Sequence, residues 1–288
     1  MKTVIDVSKF QGKVDWAKVK TQVDGAIIRL GYSGYASGKI IKDSTTEINV
    51  QECTALNIPF GVYFFPCSIN KSEAQAEAKW ILNQVSDYKL SLPIFLDSEV
   101  ADVTNKSGRA DKLSKQLRTD LLVTILNELQ ANGYAVGVYA STAWFNSNLD
   151  VSKFPKNTKL WVAQYASKCK YKGTHTAWQY TSSAKISGVS TKCDLSYYYE
   201  DFTAKTELEP AKEEQQKEEY NMPTIKKGCK SKAVKIWQII IGVEADGIFG
   251  ANTERKTIEW QAQHGLTKDG IVGSKTWKAG MDTLWQAV

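Results

Sequence analysis

The sequence predicts an α/β chain that ends in a separate, wholly helical piece. Three observations carry that expectation. Short apolar runs alternate with amphipathic stretches through residues 1–202, a charged run poor in apolar residues fills 203–222, and residues 223–288 repeat themselves with a period of 23. Strand–helix alternation calls for a mostly parallel sheet with right-handed crossovers. Seven or eight such units in some two hundred residues predict a β/α barrel, and a truncated one, because the helical stretches shorten after about residue 140.

The apolar runs come in this order. Thr3–Ile5 ends at Asp6, Ala26–Leu30 contains Arg29, and Phe60–Phe65 contains Tyr63 and stops at Pro66. Ile94–Leu96 ends at Asp97, Ala135–Tyr139 ends at Ala140-Ser141, and Leu160–Ala163 ends at Gln164-Tyr165. Ala177–Tyr180 contains Trp178, and Asp194 is expected at the end of a last short strand. Between the earlier runs, Asp15 caps a helix over Trp16–Gln22, and Thr45–Leu56, Ser72–Val85 and Ser114–Ala131 have helical spacing of apolar residues. Asn57-Ile58-Pro59 and Asn132-Gly133-Tyr134 end two of these helices.

Composition narrows the function. A chain of 288 residues with 42% hydrophobic content and 9 Trp can fill one large and one small core. The net charge of +6 favours an anionic polymer. No Lys/Arg run is interleaved with aromatics, so nucleic acid is the weaker choice and anionic cell wall the stronger. Five cysteines (Cys53, Cys67, Cys169, Cys193, Cys229) form no CxxC pair, which predicts free thiols and a reducing compartment. His175 and His264 are too far apart to suggest a zinc site, and no cofactor is expected. The sequence shows no apolar leader after Met1 and no run near 20 apolar residues, so neither a signal peptide nor a membrane span is expected.

The chemistry centres on Asp97 and Glu99. Side chains two apart on a strand point to one side, so these carboxylates should sit together where the strand opens into a loop. Two like charges that close do not ionise independently, and one can keep its proton and act as an acid. That is the equipment for glycosidic cleavage, although strand ends also carry solvated Asp and Glu with no such role. In a β/α barrel the reactive face lies at the C-terminal ends of the strands. Asp6, Asp97, Glu99, Gln164 and Asp194 are expected there, with Phe10, Tyr32, Tyr63, Phe65, Tyr139, Trp161, Trp178, Tyr180 and Tyr197 nearby. Carboxylates on a floor between aromatic walls suit a sugar chain. Trp161 reads equally as core or as cleft, and Tyr63, Tyr139 and Trp178 as cleft.

An ordered set of motifs now carries a resemblance. Ile5-Asp6-Val7-Ser8 with Phe10-Gln11-Gly12, Arg29-Leu30-Gly31-Tyr32, Gly61-Val62-Tyr63-Phe64-Phe65, Phe95-Leu96-Asp97-Ser98-Glu99, Gly137-Val138-Tyr139, Trp161-Val162-Ala163-Gln164-Tyr165, Trp178-Gln179-Tyr180 and Asp194 resemble the family 25 glycoside hydrolases over residues 1–202. These are muramidases of bacterial, fungal and phage origin. The resemblance implies an irregular, TIM-like β/α barrel that cuts the β-1,4 bond between N-acetylmuramic acid and N-acetylglucosamine. It implies Glu99 as general acid/base, Asp97 as its partner, and Asp6 and Asp194 as further cleft aspartates. Tyr63 and Tyr139 are implied as substrate contacts, with Gln164, Trp178, Phe65 and Arg29 also counted in the binding set. Where the family reads Val-Asp, this chain has Cys193-Asp194, which leaves the Asp in place.

Residues 203–222, with six Glu and three Lys, have linker composition. Met222 offers an internal translation start, to be sought as a second, smaller product on a gel. In the tail, Trp237-Gln238 recurs as Trp260-Gln261, Asp246-Gly247-Ile248 as Asp269-Gly270-Ile271, and Thr253 as Thr276. The spacing predicts three helices, Ser231–Ile241, Asn252–Gln263 and Ser274–Trp285, around Trp237, Ile240, Ile258, Trp260 and Trp277. With Lys226-Lys227-Gly228 leading in, the tail resembles the three-helix peptidoglycan-binding domain of cell-wall hydrolases. Its Asp-Gly turns read equally as structural devices and as ligand contacts.

The expected whole is a modular cell-wall lysin of the phage endolysin type, with a catalytic barrel at 1–202, a linker at 203–222 and a wall-anchoring domain at 223–288. Its expected partner is bacterial peptidoglycan, with neither nucleic acid nor membrane insertion. It is expected to be made in the host cytoplasm and to act at the wall after release. The alternatives are a non-catalytic wall-binding protein on the same scaffold, and a host autolysin or chitinase-like glycosidase.

Overall fold

The computed structural model describes residues 1–201 and 222–286, so the linker read at 203–222 lies outside the described residues apart from Met222. The chain divides into two compact units, Met1–Ala211 and Lys212–Val288.

The first unit opens with β1 (Lys2–Val7), a 3-10 turn at Lys9–Gln11 and the single-turn α1 (Trp16–Val19). Then come β2 (Gly25–Ser33), β3 (Ile40–Lys42) and α2 (Thr46–Ala55). They are followed by β4 (Phe60–Phe65), α3 (Lys71–Val85), β5 (Ile94–Asp97) and α4 (Lys115–Ala131). The last elements are β6 (Val136–Ser141), α5 (Thr142–Asn148), β7 (Lys159–Ala163), β8 (Ala177–Ala184) and β9 (Cys193–Tyr198). Side-chain caps start the helices: Asp15, Asn70, Ser114 and Ser141 each accept from a backbone N–H in the first turn.

Eight strands close into a barrel in the order β1-β9-β8-β7-β6-β5-β4-β2, with β2 returning to β1. β3 pairs only with β2, outside the closed ring. Every barrel pairing is parallel except those of β9, which runs antiparallel to both β8 and β1. The reason is length. The segment between Ala184 and Cys193 is too short for the crossover that a parallel pair requires, so the chain turns straight back. Sequence patterning foresaw the parallel part but neither this reversal nor the short β3 and α5, and the truncation it predicted is absent: the late helices shorten, yet eight strands still close the ring.

Period-two alternation sorts the strand residues. Val4, Ile27, Phe95, Tyr139, Trp161, Ala177 and Tyr198 form one cluster inside the barrel. Leu30, Val62, Phe64, Ile94, Leu96, Val138 and Val162 point outward against Ala74, Ala78 and Ile81 of α3 and Leu122, Ile125 and Leu129 of α4. The lower interior is plugged by aromatics. Trp161 is 2% exposed and belongs to the core, its ring lying 5.2 Å from Phe95 and 4.6 Å from Tyr139. Its indole N–H donates to Ser196 Oγ at 2.9 Å.

In the second unit α6 (Lys232–Ile240), α7 (Ala251–Gln263) and α8 (Ser274–Gln286) pack around Trp237, Trp260 and Trp277. Ile240 packs half-buried against that core, while Ile258 is half-buried and stands outside it. The repeat has a structural cause. Gln238 Nε2 donates to Asp246 Oδ1 at 2.7 Å, and the Gly247 N–H donates to Gln238 Oε1 at 2.8 Å. Twenty-three residues on, Gln261 and Asp269 with Gly270 repeat both bonds at 2.9 Å. Gly247 and Gly270 sit at φ +81° and +70°, where L side chains are strained. The Asp-Gly turns are therefore built by buried glutamines.

Gly137 marks the tightest point of the barrel interior: a Cβ there would lie 2.4 Å from the Phe95 ring and 2.7 Å from the Lys159 carbonyl oxygen. Gly137→Ala is expected to destabilise the first unit by about 1–3 kcal/mol through overpacking. Thermal melting of the variant against the parent checks this, and an unchanged melting temperature would contradict the packing described.

Candidate active site

At the mouth of the barrel the inward positions become polar. Asp6 on β1 and Asp194 on β9 are opposite residues of the antiparallel pair. Asp6 is 6% exposed and accepts from Gln179 Nε2 through Oδ2 at 3.0 Å. Burial pushes its carboxyl well above the usual range, and the Asp194 charge pushes the same way. Asp194 is also raised by burial, while a hydrogen bond from Asp6 opposes the rise. The two thus form an acid–carboxylate pair in which Asp6 keeps the proton.

Asp97 ends β5 and is 8% exposed, and its Oδ1 is buried without a hydrogen-bond partner. Burial raises its pKa most strongly, followed by the charges of Glu99 and Asp6, with Arg29 pulling it down. Glu99 lies two residues beyond the strand end and presents surface to solvent, although the walls of the mouth displace much of the water around it. That desolvation raises its pKa, and the charge that adds to it is Asp194, across the mouth. The coupling of Asp97 and Glu99 expected from the sequence is present as well, and falls on Asp97, whose carboxyl the Glu99 charge raises. The strand stops before Glu99, so the same-face spacing of a strand does not extend to it.

The other expected residues divide. Tyr63 and Tyr139 face inward, and both hydroxyl pKa values are raised, first by burial. Phe65 borders a small recess together with Ser98 and Glu99. Arg29 reaches Asp43 Oδ2 through Nε at 2.6 Å and stands 4.9 Å from the Phe10 ring and 5.4 Å from that of Tyr32. Trp178 is not brought to the carboxylates. It pairs with outward-facing Val162, is 7% exposed, and packs beside Tyr180 and Tyr197. Its indole N–H donates to the Gln164 carbonyl at 2.7 Å. The Gln164 side chain accepts from the Lys170 N–H at 2.6 Å and so closes its own loop.

Gln179 is the residue that sequence reasoning passed over. It is 2% exposed, donates to Asp6, and accepts from the hydroxyls of Tyr139 at 2.8 Å and Tyr165 at 3.0 Å. The available signal was alternation: Trp178 and Tyr180 share one face of β8, which turns Gln179 to the other. Asp43, the partner of Arg29, was likewise missed because it lies on a short loop after β3. Among the described residues no group of His, Cys, Asp and Glu side chains is arranged to hold a metal ion.

Residues 5–189 match the family "Glycosyl hydrolases family 25". The chain belongs to that family. A second family, of peptidoglycan binding domains, matches residues 238–279. Among similar proteins, an autolytic lysozyme of Clostridium acetobutylicum is 24% identical over 277 residues, covering 94% of this chain and 76% of the relative. Lysozyme M1 of Streptomyces globisporus is 27% identical over 211 residues, covering 67% of this chain and 66% of the relative. The structure of the modular autolysin LytC from Streptococcus pneumoniae, solved with a synthetic peptidoglycan ligand, matches with a TM-score of 0.61 and 31% identity over 69% of this chain. This family 25 hydrolase spans 46% of the LytC chain.

The proton held by Asp6 has a measurable consequence in this family 25 hydrolase. Between the usual carboxylate range and its raised value, the folded chain binds one more proton than the unfolded chain, so this group's stabilising contribution is lost as pH rises. Asp6→Asn removes that dependence. The stability of the variant relative to the parent is expected to increase from about pH 4 upward, by as much as about 1.4 kcal/mol per pH unit. Melting temperatures of both proteins across pH 4–7 check this, and a constant difference would refute the raised pKa.

Proposed function

We propose that this chain is a lysozyme that hydrolyses the β-1,4 bond between N-acetylmuramic acid and N-acetylglucosamine in bacterial peptidoglycan. The observation that carries the proposal is the pairing of two unlike acids. Glu99 is solvent-accessible with its pKa raised, and Asp97 is buried with one oxygen unpartnered. Glu99 donates its proton to the glycosidic oxygen as the C–O bond breaks. The acetamido oxygen of the same sugar attacks the anomeric carbon and forms an oxazolinium ion. Glu99, now a carboxylate, takes a proton from the water that opens this ring, which returns the acid to its starting state.

Asp97 suits the acetamido group in this route. Burial and two neighbouring carboxylates make its ionisation costly while the site is empty. A cationic oxazolinium reverses that balance, so that Asp97 gives up its proton to solvent, and its unpartnered Oδ1 is free to accept the amide N–H. Asp6, Asp194 and Gln179 form the opposite wall, tied to Tyr139 and Tyr165. The tail serves as a wall anchor, which raises the effective concentration of the barrel at its polymeric substrate. We also propose that the protein acts as an endolysin, made in the cytoplasm and active at the wall after release. Five free cysteines, three of them buried, agree with synthesis in a reducing compartment.

Mass spectrometry of borohydride-reduced digests of purified peptidoglycan tests the proposal. New reduced muramic acid ends are expected from the parent. Glu99→Gln should lower turnover about 10²–10⁴-fold, and Asp97→Asn about 10²–10³-fold if its charge stabilises the oxazolinium. Reduced glucosamine ends would move the scissile bond. No new ends from a folded protein that still pellets with the wall would leave a wall-binding protein in place of an enzyme.

A further inference from the structure

We propose that Trp144 is a positioning residue for Glu99, acting through Ser98, and that Arg118 clamps Trp144 in that role. The proposal rests on the lysozyme reading above, in which Glu99 carries the proton. Ser98 lies between the two acids and is 6% exposed. Its N–H donates to the Tyr139 carbonyl at 2.9 Å, and its hydroxyl oxygen accepts from Trp144 Nε1 at 3.0 Å. The residue joining Asp97 to Glu99 is thus held twice, through its main chain by β6 and through its side chain by α5.

Trp144 is itself fixed. Its backbone N–H donates to the N-cap hydroxyl of Ser141 at 3.1 Å, at the C-terminal end of β6. The Arg118 guanidinium, from the first turn of α4, lies 4.8 Å from the Trp144 ring centroid. Arg118 is 6% exposed and donates through Nη2 to the carbonyls of Asp111 at 3.2 Å and Leu113 at 3.3 Å. Its Nε is buried without a hydrogen-bond partner. A buried guanidinium is a costly way to fill space that Leu or Met would fill. Its two contacts give it a task. It ties the loop after Glu99 to α4 and, by a cation–π contact, holds the indole that holds Ser98.

The neighbouring space makes this hold necessary. A recess of about 20 Å³ is bordered by Ser98, Glu99, Phe65, Arg118 and Leu122. It offers room for about one water molecule, and therefore room into which the turn carrying Glu99 can shift once Ser98 is released. An acid displaced by a fraction of an ångström from the glycosidic oxygen loses rate while the sugar still binds.

The test is a double-mutant cycle on the full chain, with soluble, peptide-free glycan strands of peptidoglycan as substrate. Trp144→Phe keeps an aromatic ring for Arg118 and removes only the N–H donor, and Ser98→Ala removes the acceptor. Each is expected to lower kcat about tenfold with KM within twofold of the parent and with a parent-like melting temperature. The double variant is expected to lose no more than the weaker single one, because all three break the same bond. A Trp144→Phe kcat within twofold of the parent, losses that multiply in the double variant, or a KM that moves in step with kcat would overturn the proposal. Should Trp144→Phe fail to fold, Ser98→Ala decides alone, and a kcat within twofold of the parent overturns it. A folded parent that releases no new reducing ends overturns the lysozyme reading, and this proposal with it.

Discussion

The structure depends on gathering four carboxyl groups at one end of a closed barrel. Asp6, Asp97, Glu99 and Asp194 come from three strand ends and the turn after one of them. All four pKa values are raised, with burial the leading cause in each and a neighbouring carboxylate adding to it in three. Such a cluster opposes folding at neutral pH. Two devices limit the cost. Asp6 keeps a proton and shares it in a hydrogen bond to Asp194, and Gln179 gives Asp6 a neutral donor. Arg29 is a cation whose charge reaches Asp97, and Asp43 largely occupies it at 2.5 Å. Its remaining pull on Asp97 is the weakest of the influences that act there.

The barrel makes the cluster possible by being two different things along its axis. Below, Phe95, Tyr139 and Trp161 fill the interior so tightly that a glycine is required at 137. Above, the same inward parity delivers Asp6, Tyr63, Asp97 and Gln179 to the opening. The reversed strand β9 completes this. Running antiparallel beside β1, it sets Asp194 directly opposite Asp6. A parallel strand there would have required a crossover, and its carboxyl end would have met β1 in another register. The reversal that replaces a crossover with a direct turn is thus also what pairs its two aspartates.

The C-terminal unit solves a different problem, stability at small size. Three tryptophans form its centre, with Trp237 within 5.1 Å of Trp260 and 5.5 Å of Trp277. Around them the same Gln–Asp–Gly arrangement is used twice. Each copy turns the chain with a left-handed glycine and ties the turn to a helix through a buried amide. The repeat in the sequence is the footprint of that network, which leaves Ile248 and Ile271, 44% and 36% exposed, as the repeated residues facing outward.

Local patterning determined much of this protein without help from the fold. Alternating runs, N-cap residues and the period of 23 define every strand but β3, the helices from α1 to α4 and the three tail helices, because these features act within a few residues of themselves. The Asp97–Glu99 stretch, and Asp6 near the end of β1, were legible for the same reason, whereas Asp194, expected where a last strand ends, stands second in β9 because that strand is reversed. What only the tertiary structure decided is which side of the wall each side chain takes and whom it meets. Trp178 looked like a cleft residue by type and order, yet the register of β8 on β7 turns it outward and turns Gln179 in. Glu99 feels the charge of Asp194, 95 positions along the chain, as well as facing its neighbour Asp97, whose carboxyl its own charge raises. Ser98 meets an indole held by a buried arginine. Such pairings depend on closure of the sheet, and closure is a property of all eight strands at once.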